Sequence, residues 1–537
     1  MNHLDFRPRD RVRRVNGGRR ASTILATVLL GVALAVPASA SRSSKQPAPG
    51  VDVVVHTCYH DLGSTINTPL YAFCRGLQAV AASVGAICRT PLRDLPSKGA
   101  ADSCALVDGR KVSEKQVEKY RHSWVHHALL LQRRLDARSP LYEAQFAGSH
   151  NTFNASSYFV PANGKPVDYY PTLTNQDPNQ VFSIADQLRL DIRGIEIDLH
   201  WVLSLYGSVS TGGYWVDVCH GDSQSLPLGG PTVHVGCSID RSFQSALLEV
   251  RHWLAHHKRQ FLLIYLENQL DNNAKAHAVA ASLIRQHLGR LVYQPRGHLP
   301  SGTCDSMPYS TSRRQMMRHG ARVLLVGNCG PGAWNRWVFT RGDQWNEGGD
   351  PTTYGRKDCA ADTAARESHS EFRRMFEESP FLEAVLSASQ TFTPAVTRRA
   401  VHCGVNLTGW DQLTPNDGRL RAFVWSWSPH QPLRRGHCAV QGKHGRFRVA
   451  DCATRHPFAC VDGHLDWHVT SAAGFAWQGA RICREEIPGS TYGVPPNGLR
   501  DRQLQQAKPH PHLRVWLDYA NGQHGWSPHP ARRYLHQ

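Results

Sequence analysis

The chain has 537 residues, with 61 Lys and Arg against 43 Asp and Glu, a formal net charge of +18. At about 150 residues per domain this is too long for one ordinary core and implies roughly three units. With 41% hydrophobic residues, 44 Gly and 32 Pro, the composition excludes wholesale disorder, collagen-like repeats and a multi-span membrane protein.

The first forty residues combine an Arg-rich start, an apolar run from Ile24 to Val36 and the small-residue ending Pro37-Ala38-Ser39-Ala40. These are the three parts of a secretory signal peptide, and the apolar run falls short of the roughly 20 residues that a membrane span needs. Residues 1–40 are thus expected to be cleaved after Ala40, leaving a mature chain of charge +13 that is secreted, extracellular or periplasmic. Export favours disulfides for the 14 cysteines, and no Cys-x-x-Cys pair suggests zinc or redox chemistry. The cysteines group as Cys58, Cys74, Cys88 and Cys104; then Cys219, Cys237, Cys304, Cys329, Cys359 and Cys403; then Cys438, Cys452, Cys460 and Cys483. Each group is even, as expected if every unit closes its own bridges. Most of the 30 His are scattered beside Arg and Lys and read as solvated surface.

Residues 41–140 form a Ser/Lys/Pro-rich leader and a Cys-containing helical extension. Val117, Tyr120, Trp124, Ala128, Leu131 and Leu135 recur at three- and four-residue steps and predict one helical stripe, with Ser113 and Gln116 as a capping box and Pro140 after its end. From 141 to 422, short apolar strands alternate with amphipathic helices. Strands are expected at 143–147, 193–199, 261–266, 321–326 and 404–410, and helices at 183–191, 242–257 and 274–288. This alternation predicts an α/β fold, a TIM-like (β/α) barrel. Residues 423–537 are rich in Trp, Cys and Gly and read as a small, disulfide-rich α+β domain.

Three stretches carry chemistry: Gly148-Ser149-His150-Asn151-Thr152-Phe153-Asn154; Arg193 to Trp201, followed by Cys219-His220-Gly221-Asp222; and Phe261 to Asn268. In the second, Ile195, Ile197 and Leu199 alternate with Glu196 and Asp198, so both carboxylates share the face opposite the apolar set. Two acids inside a barrel are costly unless a cation or water satisfies them. Glu267 ends an apolar strand at the rim where barrel active sites lie. Three acids and the amide oxygen of Asn151 are hard ligands suited to Ca²⁺ or Mg²⁺, and two His on separate loops add proton transfer. A cation between two His suits phosphodiester cleavage.

These stretches resemble the X-type catalytic half of phosphoinositide-specific phospholipase C, particularly its calcium-dependent kind and secreted bacterial relatives. The Ser-His-Asn-Thr loop, Glu-x-Asp strand, His-Gly loop and strand ending in Leu-Glu-Asn occur in order over residues 141–290, with a weaker match to about 420. The resemblance implies that His150 contacts the phosphoryl group, that Asn151, Glu196, Asp198 and Glu267 hold Ca²⁺, and that Glu196 or Glu267 is a candidate base. It makes His220 the general acid and implies a cyclic inositol phosphate intermediate. Calcium-independent relatives place an Arg where a metal ligand would stand; Asp198 is acidic, which favours the metal-dependent branch. The stretch Arg322 to Cys329 lacks the basic residues that grip extra ring phosphates, which favours unphosphorylated or glycosylated phosphatidylinositol. A bridge from Cys219 to Cys237 would close a short loop around His220.

Residues 436–460 are similar to the closing part of a C-type lectin-like domain, whereas Trp477 to Cys483 and Val515 to Leu517 resemble its opening helix and middle strand in permuted order. That resemblance implies Cys438–Cys452 and Cys460–Cys483 bridges. The Trp-Asn-Asp calcium motif of sugar-binding members is absent, so a cap or adhesion module is the plainer reading and glycans the alternative partner. The basic excess suits a peripheral phospholipid membrane surface; no nucleic-acid-binding motif is present. Two rival readings remain: a glycerophosphodiesterase or phospholipase D-type lyase on the same barrel, and a surface-binding protein without activity.

Overall fold

The computed structural model describes residues 114–155, 179–203, 213–220, 222–225, 232–235, 241–270, 272–295, 304–348, 359, 371–377, 392–433, 436–522 and 525–528. The expected signal peptide, the leader, the first cysteine group and Cys237 lie outside them. Among the described residues, no helix is long and apolar enough to cross a membrane.

The stripe expected as one helix forms two, α1 (Glu114–Arg121) and α2 (Trp124–Asp136). Ser123 makes the break: its extended backbone lets the side chain accept from the His126 N–H, capping α2 afresh. The stripe still faces inward, with Val117, Tyr120, Ala128, Leu131 and Leu135 all buried.

After α3 (Ile184–Arg189) come β1 (Gly194–Leu203), β2 (Tyr214–Val218), the hairpin β3 (Asp222–Ser225) and β4 (Thr232–Val235), α4 (Phe243–His256), β5 (Leu262–Gln269), α5 (Ala274–His287), α6 (Arg313–Arg318), β6 (Val323–Gly327) and β7 (Phe339–Thr340). One sheet runs β2-β1-β5-β6-β7, with β1, β5, β6 and β7 parallel and β2 antiparallel to β1. A second, parallel sheet holds β8 (Trp345–Gly348), β9 (Phe372–Phe376) and β10 (Leu407–Gly409), with α7 (Pro394–His402) before β10 and α8 (Gly418–Phe423) after it. The segment 146–149 joins the two sheets: Phe146 bridges Leu407, Ser149 bridges Trp410, and Gly148 bridges Gly194. The mixed α/β expectation thus holds, and among the described residues the strands form an open arc rather than a closed barrel. Among the described residues no ladder joins β7 to β8, which follow one another without an intervening helix.

The arc has two faces. Ile195, Ile197, Leu199, Leu262, Ile264 and Leu266 pack outward against the helices in the main core, whereas Phe146, Leu263, Leu324, Phe372 and Leu407 fill the inside. This is the period of two expected for strands sandwiched between helices and a filled interior. Gly148 is required at the seam, because a Cβ there would lie 2.1 Å from the Thr408 carbonyl oxygen.

In the C-terminal region β11 (Cys438–Gln441), β12 (Phe447–Ala450), β13 (Ala459–Val461), β14 (Trp467–Val469), α9 (Gly479–Glu486), β15 (Thr491–Tyr492), α10 (Gly498–Ala507), β16 (Val515–Gly522) and β17 (Gly525–Pro528) form sheets ordered β12-β11-β16-β17 and β14-β13-β15. Disulfides Cys438–Cys452 and Cys460–Cys483 are present as expected, and Cys304–Cys329 and Cys359–Cys403 close within the central group. The main core continues from α2 and α4 through Trp425 and Trp427 to Phe447, Leu517 and Tyr519. Polar contacts cross the same junction: Arg500 Nη2 donates to Glu143 Oε1 at 2.8 Å, the Asn497 amide donates to Glu143, and the Gly498 N–H donates to Gln145 Oε1 at 2.9 Å.

Candidate active site

Above the apolar floor, the inside of the arc turns polar because alternation on β1 continues while the residue types change. Glu196 pairs in register with Tyr265 and Asp198 with Glu267, so both β1 acids and the last acid of β5 point into the arc. Oxygens of Glu196, Asp198 and Glu267 lie within 4.8 Å of one another. Glu196 and Asp198 are buried. Burial pushes the Asp198 carboxyl well above the usual range, reinforced by Glu267 and Glu196. Glu267 is pushed up for the same reason, burial first and Glu196 next. Asp198 Oδ1 is buried with no hydrogen-bond partner.

Arg374 on β9 enters this cluster from the opposite side. Its Nη2 donates to Glu196 Oε2 at 2.5 Å, its Nη1 bonds Glu347 of β8, and its guanidinium lies 4.6 Å from the Tyr265 ring centroid and 4.4 Å from that of Phe376. One guanidinium against this many acids leaves negative charge in excess. The donor set, the crowding and the orphaned Asp198 oxygen therefore fit a hard divalent cation. Asn151 stands beside the cluster, its N–H donating to Glu196 Oε2 at 3.2 Å with a left-handed φ of 40°.

The loop after 146–149 carries His150, which is buried and packs against Phe376 at a ring distance of 5.0 Å. Its backbone is seated by the Trp410 carbonyl at 3.2 Å, and Gly409 admits its side chain, since a Cβ there would meet Phe376 at 2.8 Å and His150 at 3.4 Å. His150 Nδ1 lies 3.2 Å from Asp411 Oδ1. Burial alone would push the imidazolium down, but Asp411 and Glu196 outweigh it and hold it up at about 9. Asp411 is pushed up to about 7 by burial, against the pull of His150.

His220 follows β2 and the disulfide-bonded Cys219. A chain of amides ties it to the first histidine. Asn179 Nδ2 donates to Asp411 Oδ2 at 2.9 Å, Asn154 Nδ2 donates to Asn179 Oδ1 at 2.7 Å, and Asn154 Nδ2 lies 3.4 Å from His220 Nδ1. A carboxylate can only accept, so Asp411 sets the orientation of both amides and leaves His220 Nδ1 as an acceptor with the proton on Nε2. His220 is accordingly neutral, pushed down to about 4 by burial first and then by His150.

The arc thus assembles His150, Asn151, Glu196, Asp198 and Glu267 at one rim and links His220 to them through Asn154 and Asn179. Sequence reasoning missed Arg374, Glu347, Asn179 and Asp411. Arg374 was legible in part: alternation over Phe372-Arg373-Arg374-Met375-Phe376 puts it on the face of the two aromatic residues. Asp411 directly follows the expected strand 404–410, at the rim where Glu267 was singled out.

Comparison with known proteins points the same way. The sequence model of the Rv2075c PI-PLC-like domain matches residues 106–417. The uncharacterized protein Rv2075c of Mycobacterium tuberculosis H37Rv is 32% identical over 511 residues, covering 92% of this chain and 96% of its own length. Among solved structures, the phosphatidylinositol-specific phospholipase C of Listeria monocytogenes overlaps 55% of this chain and 97% of its own, at 13% identity and a TM-score of 0.36. A calcium-dependent phosphoinositol-specific phospholipase C from Pseudomonas overlaps 52% of this chain and 94% of its own, at 13% identity and a TM-score of 0.28. Overlaps at such TM-scores carry no chemistry with them.

Proposed function

The chain belongs to the Rv2075c PI-PLC-like domain family, and from that premise we propose that it is a Ca²⁺-dependent phosphodiesterase cleaving phosphatidylinositol-type lipids to diacylglycerol and a cyclic or open inositol phosphate. The observation that carries this reading is the convergence of two histidines, linked through Asn154, Asn179 and Asp411, on one carboxylate cluster with an unpartnered oxygen. Glu196, Asp198 and Glu267, with the amide of Asn151, would hold Ca²⁺, which when bound supplies charge stabilisation at the phosphoryl oxygens. The chain's own groups do the rest. His150, backed by Asp411 and with its Nε2 3.3 Å from Asn151 Nδ2, would contact the phosphoryl group. His220, with its proton on Nε2, would be the donor for the departing diacylglycerol oxygen, as the resemblance implies. Glu267 is the freer candidate base for the inositol hydroxyl, since Glu196 is already engaged by Arg374 and the Asn151 N–H.

The accompanying proposals concern setting. The chain is secreted after removal of residues 1–40, works at a phospholipid surface, and carries residues 423–537 as a disulfide-tied appendage whose glycan binding is the alternative to a capping role. Incubating the purified protein with mixed phospholipids, with and without Ca²⁺, tests the reaction. Inositol phosphates appearing only with Ca²⁺ support it, a released free headgroup supports the lyase or glycerophosphodiesterase reading, and no turnover supports a binding protein. A soluble inositol phosphodiester with a p-nitrophenol leaving group separates the histidines, because a good leaving group needs no acid. His220→Ala should be largely rescued on it and His150→Ala should not; the reverse makes His150 the acid.

A further inference from the structure

A second cluster of charge lies away from this site, where the C-terminal end of α7 meets α10. A cavity of about 290 Å³ is lined there by Arg398, Arg399, His402, His444, Asp501 and Arg502. Arg398 is exposed, and Arg399 and Arg502 are half-buried. Arg399 Nε is buried with no hydrogen-bond partner, and Arg502 Nη1 donates to the Cys359 sulfur at 2.7 Å. Among the described residues of this wall the one acid is Asp501. Asp501 is fully buried, one oxygen accepts from the Gln441 amide at 2.8 Å, and Oδ2 has no partner. Burial pushes its carboxyl well above the usual range. His402 Nδ1 is fixed by the Gly498 carbonyl at 3.1 Å, and its charged form is suppressed by burial and then by Arg446, Arg502 and Arg398.

A dipole argument covers only part of this. Arg399 and His402 occupy the last turn of α7, where cations complement the helix dipole. Arg502 lies toward the N-terminal end of α10, where the dipole gives a cation no support, and Arg398 is directed to the same cavity. The reaction centre is at the other end of α7: the Phe392 N–H donates to Glu377 Oε1, and Glu377 Oε2 accepts from the Asp411 N–H. Arg398, Arg399 and His402 stand four to eight residues beyond the first residue of α7, which at about 1.5 Å each places them roughly 6–12 Å along the helix from that end.

The geometry points to an oxyanion-binding site between α7 and α10, in which Arg398, Arg399 and Arg502 grip a phosphate group distinct from the one cleaved. Guanidinium forks match tetrahedral oxyanions, and charge-assisted bonds of this kind are the strong ones. The phosphate can belong to a soluble phosphorylated molecule or to a lipid headgroup.

Calorimetric titration of the full chain with inorganic phosphate, and sedimentation with phosphatidylcholine vesicles with and without phosphatidylinositol, test the site and separate its sources. Arg398→Gln and Arg502→Gln together should weaken phosphate binding by about tenfold or more while turnover on a soluble phosphodiester stays unchanged. Loss confined to vesicle binding assigns the same site to a lipid headgroup. Equal binding of both probes by the variant and the parent, or no binding by either, overturns it. Melting curves of the two proteins show that the variant is folded, with a small downward shift expected from loss of the Arg502 bond to the Cys359 sulfur.

Discussion

At the residue scale, charge states matter more than the roster of side chains. His150 keeps its proton to about pH 9 because Asp411 and Glu196 outweigh its burial. A raised imidazole is fully protonated below its ordinary 6.5 and loses the proton as pH rises through about 9, so turnover should hold to that limb and then fall. In Asp411→Asn the first of the upward pulls disappears, and the alkaline limb of the kcat profile should move down toward the ordinary value; an unmoved limb would remove His150 as the proton carrier. Arg374 offers a second test. It already holds an oxygen of Glu196, so it competes with any cation for that ligand. Arg374→Met should tighten Ca²⁺ binding by about tenfold in direct titration, whereas weaker binding would mean that the guanidinium orders the carboxylates instead. The acids and histidines themselves were legible because their residue types sit in short contiguous motifs. Arg374, Asn179 and Asp411 were not, because each reaches the site from a separate part of the chain and only the strand order brings them together.

At the element scale, periodicity fared best where one face is apolar. The strands expected at 193–199 and 261–266 appear as β1 and β5, and the helices expected at 242–257 and 274–288 as α4 and α5, with ends shifted by few residues. The break between α1 and α2 escaped the pattern because the apolar stripe runs through it unaltered; only Ser123, polar and directly before Trp124, marks it. The TIM-like barrel was expected from alternation and length, which do not encode whether β7 and β8 pair. What holds α1 and α2 to the arc is Asp191, which bonds Tyr120 Oη at 2.7 Å, His126 Nδ1 at 2.8 Å and Arg133 Nη2 at 2.7 Å. Burial would push its carboxyl up, but Arg133 and His126 hold it well below the usual range. A depressed carboxylate stabilises above its unfolded pKa and loses that contribution as pH falls below it. Asp191→Ala leaves buried Arg193 and half-buried Arg133 without their carboxylate and should cost about 3 kcal/mol in denaturant unfolding at neutral pH, with the difference shrinking in acid. A loss under 1 kcal/mol would show the hub to be incidental.

At the scale of the whole molecule, the core runs unbroken from α2 to β16, and the Glu143–Arg500 pair crosses the same junction. Unfolding should therefore be one calorimetric transition, and Glu143→Gln should lower its midpoint without splitting it, at a cost of about 3 kcal/mol from the carboxylate lost to buried Arg500. Two separated transitions in the parent would mean independent halves. The junction also has a consequence in time. Glu143 and Gln145 lie just ahead of the loop that seats His150, yet their partners Asn497, Gly498 and Arg500 stand 353 to 357 positions later. A chain emerging from its N-terminus carries every reactive group long before it carries the clasp that steadies them. The segment ahead of His150 thus gains its last buried partners only with the last tenth of synthesis.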